Sequence, residues 1–377
     1  MVSARIRGFF DERKPDEPCL VIDLAKVRAN YDAFRKSMPE SAIFYAVNAN
    51  PHPQVLRLLA SAGSSFDCAS VAEIRMAIEA GATADRISYG NTIKKERDIA
   101  AAFHLGVRMF AVDCLEEVDK IARAAPGSKL FCRILTNGEG AEWPLSRKFG
   151  CDASMAPEVL DHAFHLGLVP IGVSFHVGSQ QTSVGAWDGA LASAAEIFRE
   201  MELRGIRLTL VNLGGGFPTR YLKQVPVLKQ YGASIYDAVR RCFGNQLPDT
   251  IIEPGRGMVG DAGVIRSEVV LVSRKSANEI IRWVYLDIGK FGGLAETMDE
   301  AIRYSIVTSR DADTKSPCII AGPTCDSADV LYEKQPYALP DTLRPGDHVF
   351  FEGTGAYTST YSAVAFNGFE PLRTFVI

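Results

Sequence analysis

The sequence predicts an α/β protein in which an eight-stranded (β/α)8 barrel is followed by a separate β domain. From about residue 18 to 255, short apolar runs rich in β-branched and aromatic residues alternate with stretches of helical periodicity, as expected for consecutive βα units on a parallel sheet. Eight such runs suit a closed barrel of the TIM type. A doubly wound open sheet permits the same alternation, but no Gly-x-Gly-x-x-Gly follows the first strand and the strands continue without a break in pattern.

The expected barrel strands are 43–47, 65–68, 87–89, 109–112, 130–134, 171–176, 208–213 and 250–253. The intervening helices are expected at 54–62, 71–80, 96–105, 115–124, 157–166 and 187–204, which assigns residues 25–260 to the barrel. After Gly260 the texture changes. Long β-like runs at 264–273, 281–287, 318–321 and 348–352 are separated by turns and by one helical stretch near 298–304. Residues 261–377 are therefore assigned to the β domain, and residues 1–24 to an N-terminal segment that joins it. No internal repeat, low-complexity tract or Gly/Ser linker interrupts the chain.

Composition narrows the function. The 377 residues are 47% hydrophobic and carry a formal charge of −4, with no long basic run to mark a nucleic-acid or membrane-surface binder. The expected partners are a small molecule and a second copy of the chain. The start, Met-Val-Ser-Ala-Arg-Ile-Arg-Gly-Phe-Phe, lacks a sustained apolar core, and no later run approaches membrane-spanning length, so a cytoplasmic location is expected. The eight cysteines have no metal-ligand spacing and are sparse for a disulfide scaffold. No metal is expected, and most of the thiols should be reduced core residues.

Chemistry gathers at the ends of the expected strands. Gly214, Gly215 and Gly216 follow a barrel strand, where phosphate can approach main-chain N–H groups; a plain tight turn is the alternative. Glu253-Pro254-Gly255-Arg256 sets a carboxylate and a guanidinium at the mouth of the same barrel, as a cofactor with a basic ring nitrogen and a phosphate requires, or as a surface ion pair. His176, with Ser179 just beyond, offers a flat ring that can stack on a flat cofactor or simply serve the structure. Cys325-Asp326 joins a proton donor to a carboxylate able to hold an ammonium; a buried small side chain beside a turn-forming Asp is the competing reading. Tyr357 lies in a glycine-rich loop, where its hydroxyl could reach a phosphate or its ring could join the core.

Across nearly its whole length the chain resembles the fold-type-III pyridoxal-phosphate decarboxylases, the ornithine/lysine decarboxylase family. The resemblance is carried by Tyr-Ala-Val-Asn-Ala-Asn (45–50), Phe-Asp-Cys-Ala-Ser (66–70), Leu-Ser-Arg-Lys-Phe-Gly (145–150), Ser-Phe-His-Val-Gly-Ser (174–179), Leu-Gly-Gly-Gly-Phe-Pro (213–218), Glu-Pro-Gly-Arg (253–256), Gly-Pro-Thr-Cys-Asp (322–326), Gly-Ala-Tyr-Thr (355–358) and Phe-Asn-Gly-Phe (366–369). It implies an alanine-racemase-like barrel plus β domain, pyridoxal 5'-phosphate as cofactor, and a head-to-tail homodimer with shared active sites. Carried over, His176 would stack on the pyridine ring and Glu253 would pair with its nitrogen. Ser179, Gly214, Gly215, Gly216, Arg256 and Tyr357 would hold the phosphate, with Asp67, Glu73 and Arg133 nearby. Cys325 and Asp326 would reach in from the other subunit, the thiol protonating the substrate α-carbon and the carboxylate binding the distal ammonium. Glu296 and Asp299 would add negative charge to that pocket. The implied substrate is a basic amino acid, L-ornithine or L-lysine.

The chain departs from the family at one decisive position. Asn48 stands where the family has the lysine that forms a Schiff base with the cofactor aldehyde, and an asparagine amide is neither basic nor nucleophilic enough for that. A decarboxylase scaffold with little or no turnover is expected, and a non-catalytic binding protein on the same scaffold is the alternative. Asn212, where some relatives have Asp before the glycines, is a minor departure.

Overall fold

The computed structural model describes residues 2–143 and 148–377. Leu145, Ser146 and Arg147 of the Leu-Ser-Arg-Lys-Phe-Gly motif lie outside the described residues. The chain forms two compact units: Arg28–Pro218 with Val225–Met258, and Met1–Val27 with Thr219–Gln224 and Val259–Ile377.

The first unit is the barrel. Eight parallel strands close on themselves in the order Ser41–Ala46, Ser65–Cys68, Ile87–Tyr89, Met109–Val112, Lys129–Arg133, Val169–Ser174, Leu210–Asn212 and Asp249–Ile252, with the last pairing back to the first through Thr250 and Ser41. Phe44, Ala111, Phe131, Leu210 and Ile251, drawn from five different strands, pack into one buried cluster, as the side-chain layers inside such a barrel require. At Gly172 a Cβ would stand 1.8 Å from the Leu210 carbonyl oxygen, so the neighbouring strand can approach only a glycine there.

Helices cover the outside in step with the strands, and their starts are chemically marked. Ser70 accepts from the Glu73 N–H to cap Val71–Glu79, and Glu73 in turn accepts from the Ala69 N–H at 2.6 Å. Two helices of this region, Leu24–Ser37 and Leu228–Phe243, were not expected from the sequence.

The second unit is built on a mixed sheet. The long strand Gly263–Ser273 pairs with Arg282–Leu286, His348–Glu352 and the N-terminal strand Cys19–Ile22, and Cys19–Ile22 runs parallel to Arg373–Val376 at the other end of the chain. Lys315–Ala321, Tyr337–Pro340 and Ser305–Thr308 complete it. Helix Ala4–Arg13 lies against this sheet through Val2, Ile6 and Phe10, which pack with Cys19, Val21 and Val264. The helical stretch expected near 298–304 is instead a 3₁₀ segment, Ala295–Glu300, broken where Met298 is extended and Asp299 takes φ +52°; the chain then enters the strand Ser305–Thr308. Among the described residues no helix is long and apolar enough to cross a membrane.

Candidate active site

The C-terminal ends of the barrel strands carry the sequence-predicted residues in rotation. Asn48 lies in the single 3₁₀ turn Val47–Ala49 directly after the first strand and is exposed. Its strand is anchored on both sides, through the pairing of Ala46 with Asp67 and through the Ala46 N–H, which donates to the Pro254 carbonyl at 3.3 Å. Asp67 is on the second strand, Arg133 ends the fifth, His176 follows the sixth, Asn212 and the glycines end the seventh, and Glu253 follows the eighth. In a (β/α)8 barrel this face is where catalytic groups sit.

Burial and charge tune these groups strongly. Asp67 is held well above the usual carboxylate range, first by burial and then by the negative charge of Glu253, against which the Ser88 hydroxyl donates at 3.1 Å. Glu253 is also raised by burial, opposed by an Asn212 hydrogen bond and by Arg133. Arg133 itself is lowered by burial but supported by Glu253, Asp67 and Asp113, and its guanidinium lies 5.5 Å from the Phe149 ring centroid. The set is one cation among buried carboxylates, able to share protons rather than hold full charges. Next to it, a Cβ on Gly90 would stand 1.9 Å from Asp67 Oδ1, so that carboxylate occupies space only a glycine leaves.

His176 is neutral. Its pKa is pushed down to about 3 by burial and by the Arg133 charge. The Gly178 N–H donates to Nδ1 at 3.1 Å, so the single ring proton sits on Nε2. The ring lies over Gly215, whose Cβ would be 3.0 Å from Nε2 and 2.7 Å from the Glu253 carbonyl oxygen.

Asn212 ties two functional parts together. Its amide nitrogen donates to Glu253 Oε1 at 2.5 Å, and its oxygen accepts from the Gly214 N–H at 3.0 Å. Gly214 takes φ +66° and would press a Cβ to 2.2 Å from the Phe175 carbonyl, so the turn needs glycine twice over. Beside it, buried Arg256 donates to the Ser179 hydroxyl from Nε at 3.2 Å and from Nη2 at 3.1 Å. Gly216 closes against the same loop, since its Cβ would meet the Gly178 carbonyl at 2.6 Å.

Other predicted residues belong to the second unit. Cys325 and Asp326 are exposed on the loop after Lys315–Ala321. The Cys325 N–H donates to Asn367 Oδ1 at 3.0 Å, and Asn367 Nδ2 donates to Cys325 Sγ at 3.2 Å. Asp326 accepts from the Ala328 N–H at 2.8 Å. Tyr357 has φ +55° and faces Tyr361 at 6.0 Å between ring centroids. Glu296 is buried, whereas Asp299 is exposed and pairs with Lys334 at 3.2 Å. Glu73 serves as the helix cap already described.

Three organising residues escape sequence reasoning. Asn212 registers there only as a departure, and Asn367 only as a motif letter. Asp329 gives no local signal: its buried carboxylate accepts from the Lys290 N–H at 2.7 Å, from the Thr324 N–H at 3.2 Å and from Thr324 Oγ1 at 2.7 Å, fixing the base of the Cys325 loop.

The donor set fits pyridoxal phosphate. A neutral flat ring at His176, a carboxyl of raised pKa at Glu253 for a basic ring nitrogen, and the Arg256–Ser179 pair beside side-chain-free backbone at Gly214–Gly216 match a planar pyridine bearing a dianionic phosphate.

Residues 24–260 match the family model described as pyridoxal-dependent decarboxylase, pyridoxal binding domain. The chain is 36% identical to a lysine/ornithine decarboxylase of Selenomonas ruminantium over 95% of this chain and 89% of that protein. Among solved structures it is similar to lysine decarboxylase from the same organism, with TM-score 0.89, 34% identity, and coverage of 100% and 96% of the two chains. It is also similar to a lysine/ornithine decarboxylase from Vibrio vulnificus complexed with cadaverine, with TM-score 0.89, 30% identity and full coverage of both chains, 100% and 100%.

Proposed function

This chain belongs to the fold-type-III pyridoxal-phosphate-dependent ornithine/lysine decarboxylases, and on that premise we propose that it is a carboxy-lyase scaffold for L-ornithine and L-lysine, impaired by Asn48. The observation that carries the reading is the strand-end set of Glu253, Asn212, His176, Arg256 and Ser179, whose mutual contacts suit non-covalent binding of the cofactor.

When bound, pyridoxal phosphate supplies an electron sink for the pair left on the α-carbon as carbon dioxide departs. The chain's own groups do the rest. Glu253, held by Asn212 and raised by burial, keeps a proton at the ring nitrogen. His176, neutral on both sides of pH 7, covers the ring without adding a competing charge. Arg256 and Ser179 bind the phosphate with the glycine turn. Cys325 delivers a proton to the α-carbon and Asp326 binds the distal ammonium, both in the partner protomer's site. The roles of Tyr357 at the phosphate and of Glu296 near the substrate amine rest on the resemblance.

The products would be the diamines putrescine and cadaverine. The two substrates differ by one methylene, which a pocket distinguishes by only about 1–3 kcal/mol. A homodimer is supported by exposed Cys325 and by the exposed apolar side chains Tyr361, Val364, Phe366 and Phe369 on neighbouring sequence. Asn48 also favours a second reading, a non-catalytic protein that binds the cofactor or a partner without turnover.

Carbon dioxide release from L-ornithine and L-lysine, with added pyridoxal phosphate, tests both on this chain and its Asn48→Lys variant. Turnover by Asn48→Lys alone is expected. If neither folded protein turns over, the decarboxylase reading fails and the binding protein takes its place.

A further inference from the structure

A pair of buried thiols lies outside the chemistry described so far. Cys132 Sγ and Cys151 Sγ are 3.6 Å apart, neither in a disulfide, with Cys132 on the fifth barrel strand and Cys151 directly after Gly150. The backbone around them is fixed on both sides. The Cys151 N–H donates to the Arg133 carbonyl at 3.0 Å, the Leu135 N–H donates to the Cys151 carbonyl at 2.9 Å, and the Gly150 N–H donates to Asp113 Oδ2 at 2.9 Å. A Cβ on Gly150 would stand 2.9 Å from the Ile134 carbonyl carbon, so the two segments are already in close contact. A disulfide needs sulfurs about 2.05 Å apart, about 1.5 Å closer than the two stand here.

We propose that Cys132 and Cys151 are a redox-convertible pair that closes to a disulfide, tying the fifth barrel strand to the chain just after Gly150. The two thiols are not equivalent. Cys132 is fully enclosed, whereas Cys151 retains 6% of its surface. A hydrogen bond from Cys132 holds the Cys151 thiol below its ordinary range, while the same bond and burial push Cys132 up. Cys151 is therefore the attacking group. Its thiolate attacks one sulfur of a small-molecule disulfide such as oxidised glutathione, forming a mixed disulfide and releasing one thiolate. Cys132, deprotonated by that leaving thiolate, then attacks Cys151 sulfur and expels the second. Two protein thiols lose two electrons, the reagent gains them, and its two thiolates carry away the two protons.

The bond would act on the candidate site through sequence neighbours. Arg133 follows Cys132, and Phe149, whose ring faces the Arg133 guanidinium, lies two residues before Cys151. The cross-link holds both ends of that contact. The inference does not depend on turnover or on the proposed substrate.

The test uses the full chain equilibrated in glutathione buffers from reducing to oxidising, acid-quenched, alkylated, digested and weighed. The expected result is loss of two alkylatable thiols, recovered as one peptide pair joining Cys132 to Cys151 and lighter by two hydrogens. Cys151→Ser should keep Cys132 alkylatable at every poise, with Cys132→Ala as the reciprocal variant should the serine form fail to fold. Cys325→Ser should leave the cross-link unchanged. Full alkylation of both residues at the most oxidising poise in folded protein, a lasting glutathione adduct on Cys151, or a cross-link through Cys325 would each overturn the proposal.

Discussion

The Asn212 amide and the Glu253 carboxylate are joined at 2.5 Å, and the amide cannot turn over, because its oxygen is committed to the Gly214 N–H. One neutral side chain thus steadies the carboxylate and shapes the glycine turn. Asn212→Ala should remove a charged hydrogen bond worth about 1.5–3 kcal/mol. Asn212→Asp should go further, setting a second carboxylate against Glu253 and raising its pKa. Both should weaken pyridoxal-phosphate binding as titrated by absorbance, the Asp form more as pH rises; equal affinity in all three proteins would refute the role.

His176 makes acid stability a readout of the site. Its folded pKa of about 3 lies below the ordinary histidine value of about 6.5, so the unfolded chain binds a proton that the folded chain refuses. The stabilisation is whole above pH about 6.5 and declines as pH falls from there towards about 3. In urea titrations, His176→Gln should therefore flatten the loss of stability between those limits; an unchanged slope would show that His176 titrates normally.

The base of the Cys325 loop depends on Asp329. Removing its carboxylate leaves part-buried donors at Lys290 and Thr324 without their acceptor, and Asp329→Ala should cost about 1–3 kcal/mol in line with such losses. The rate of iodoacetamide labelling at Cys325, the exposed thiol, should rise in this variant. A stable variant with unaltered labelling would contradict the positioning.

Lys94 and Glu117 form a buried ion pair at 3.0 Å, with Lys94 also donating to the Asn91 and Ala111 carbonyls at 2.8 and 2.7 Å. Burial lowers Lys94 to about 8 even with that partner. Glu117→Gln strands the ammonium, and a loss of about 3–5 kcal/mol in denaturant unfolding is expected. A loss below about 1 kcal/mol, the range of exposed pairs, would mean that water reaches the pair.

The barrel is legible in the sequence because its strands are short and largely apolar, and the first six are each followed by a helical period, so local pattern and global fold agree. Leu228–Phe243 escapes because Gly232 interrupts it. That glycine is required by packing, since a Cβ would stand 2.2 Å from the Ser37 carbonyl, and packing is invisible to local propensity. The turn at Asp299 is hidden for a similar reason, a positive φ at a residue that is not glycine. Site residues show wherever chemistry concentrates in a motif, as at His176 and Glu253. Asp329 reaches across from residue 290 to residue 324, and Cys132 meets Cys151 across a strand end. Both depend on contacts between separated segments, which spacing along the chain does not report.

The parallel pairing of Cys19–Ile22 with Arg373–Val376 also sets an order of assembly during synthesis. The barrel segments end at Met258, whereas Cys19–Ile22 keeps one edge unpaired until Arg373–Val376 has been made. Until that partner is in place the sheet keeps an open edge, the kind of surface that other chains can pair with by mistake.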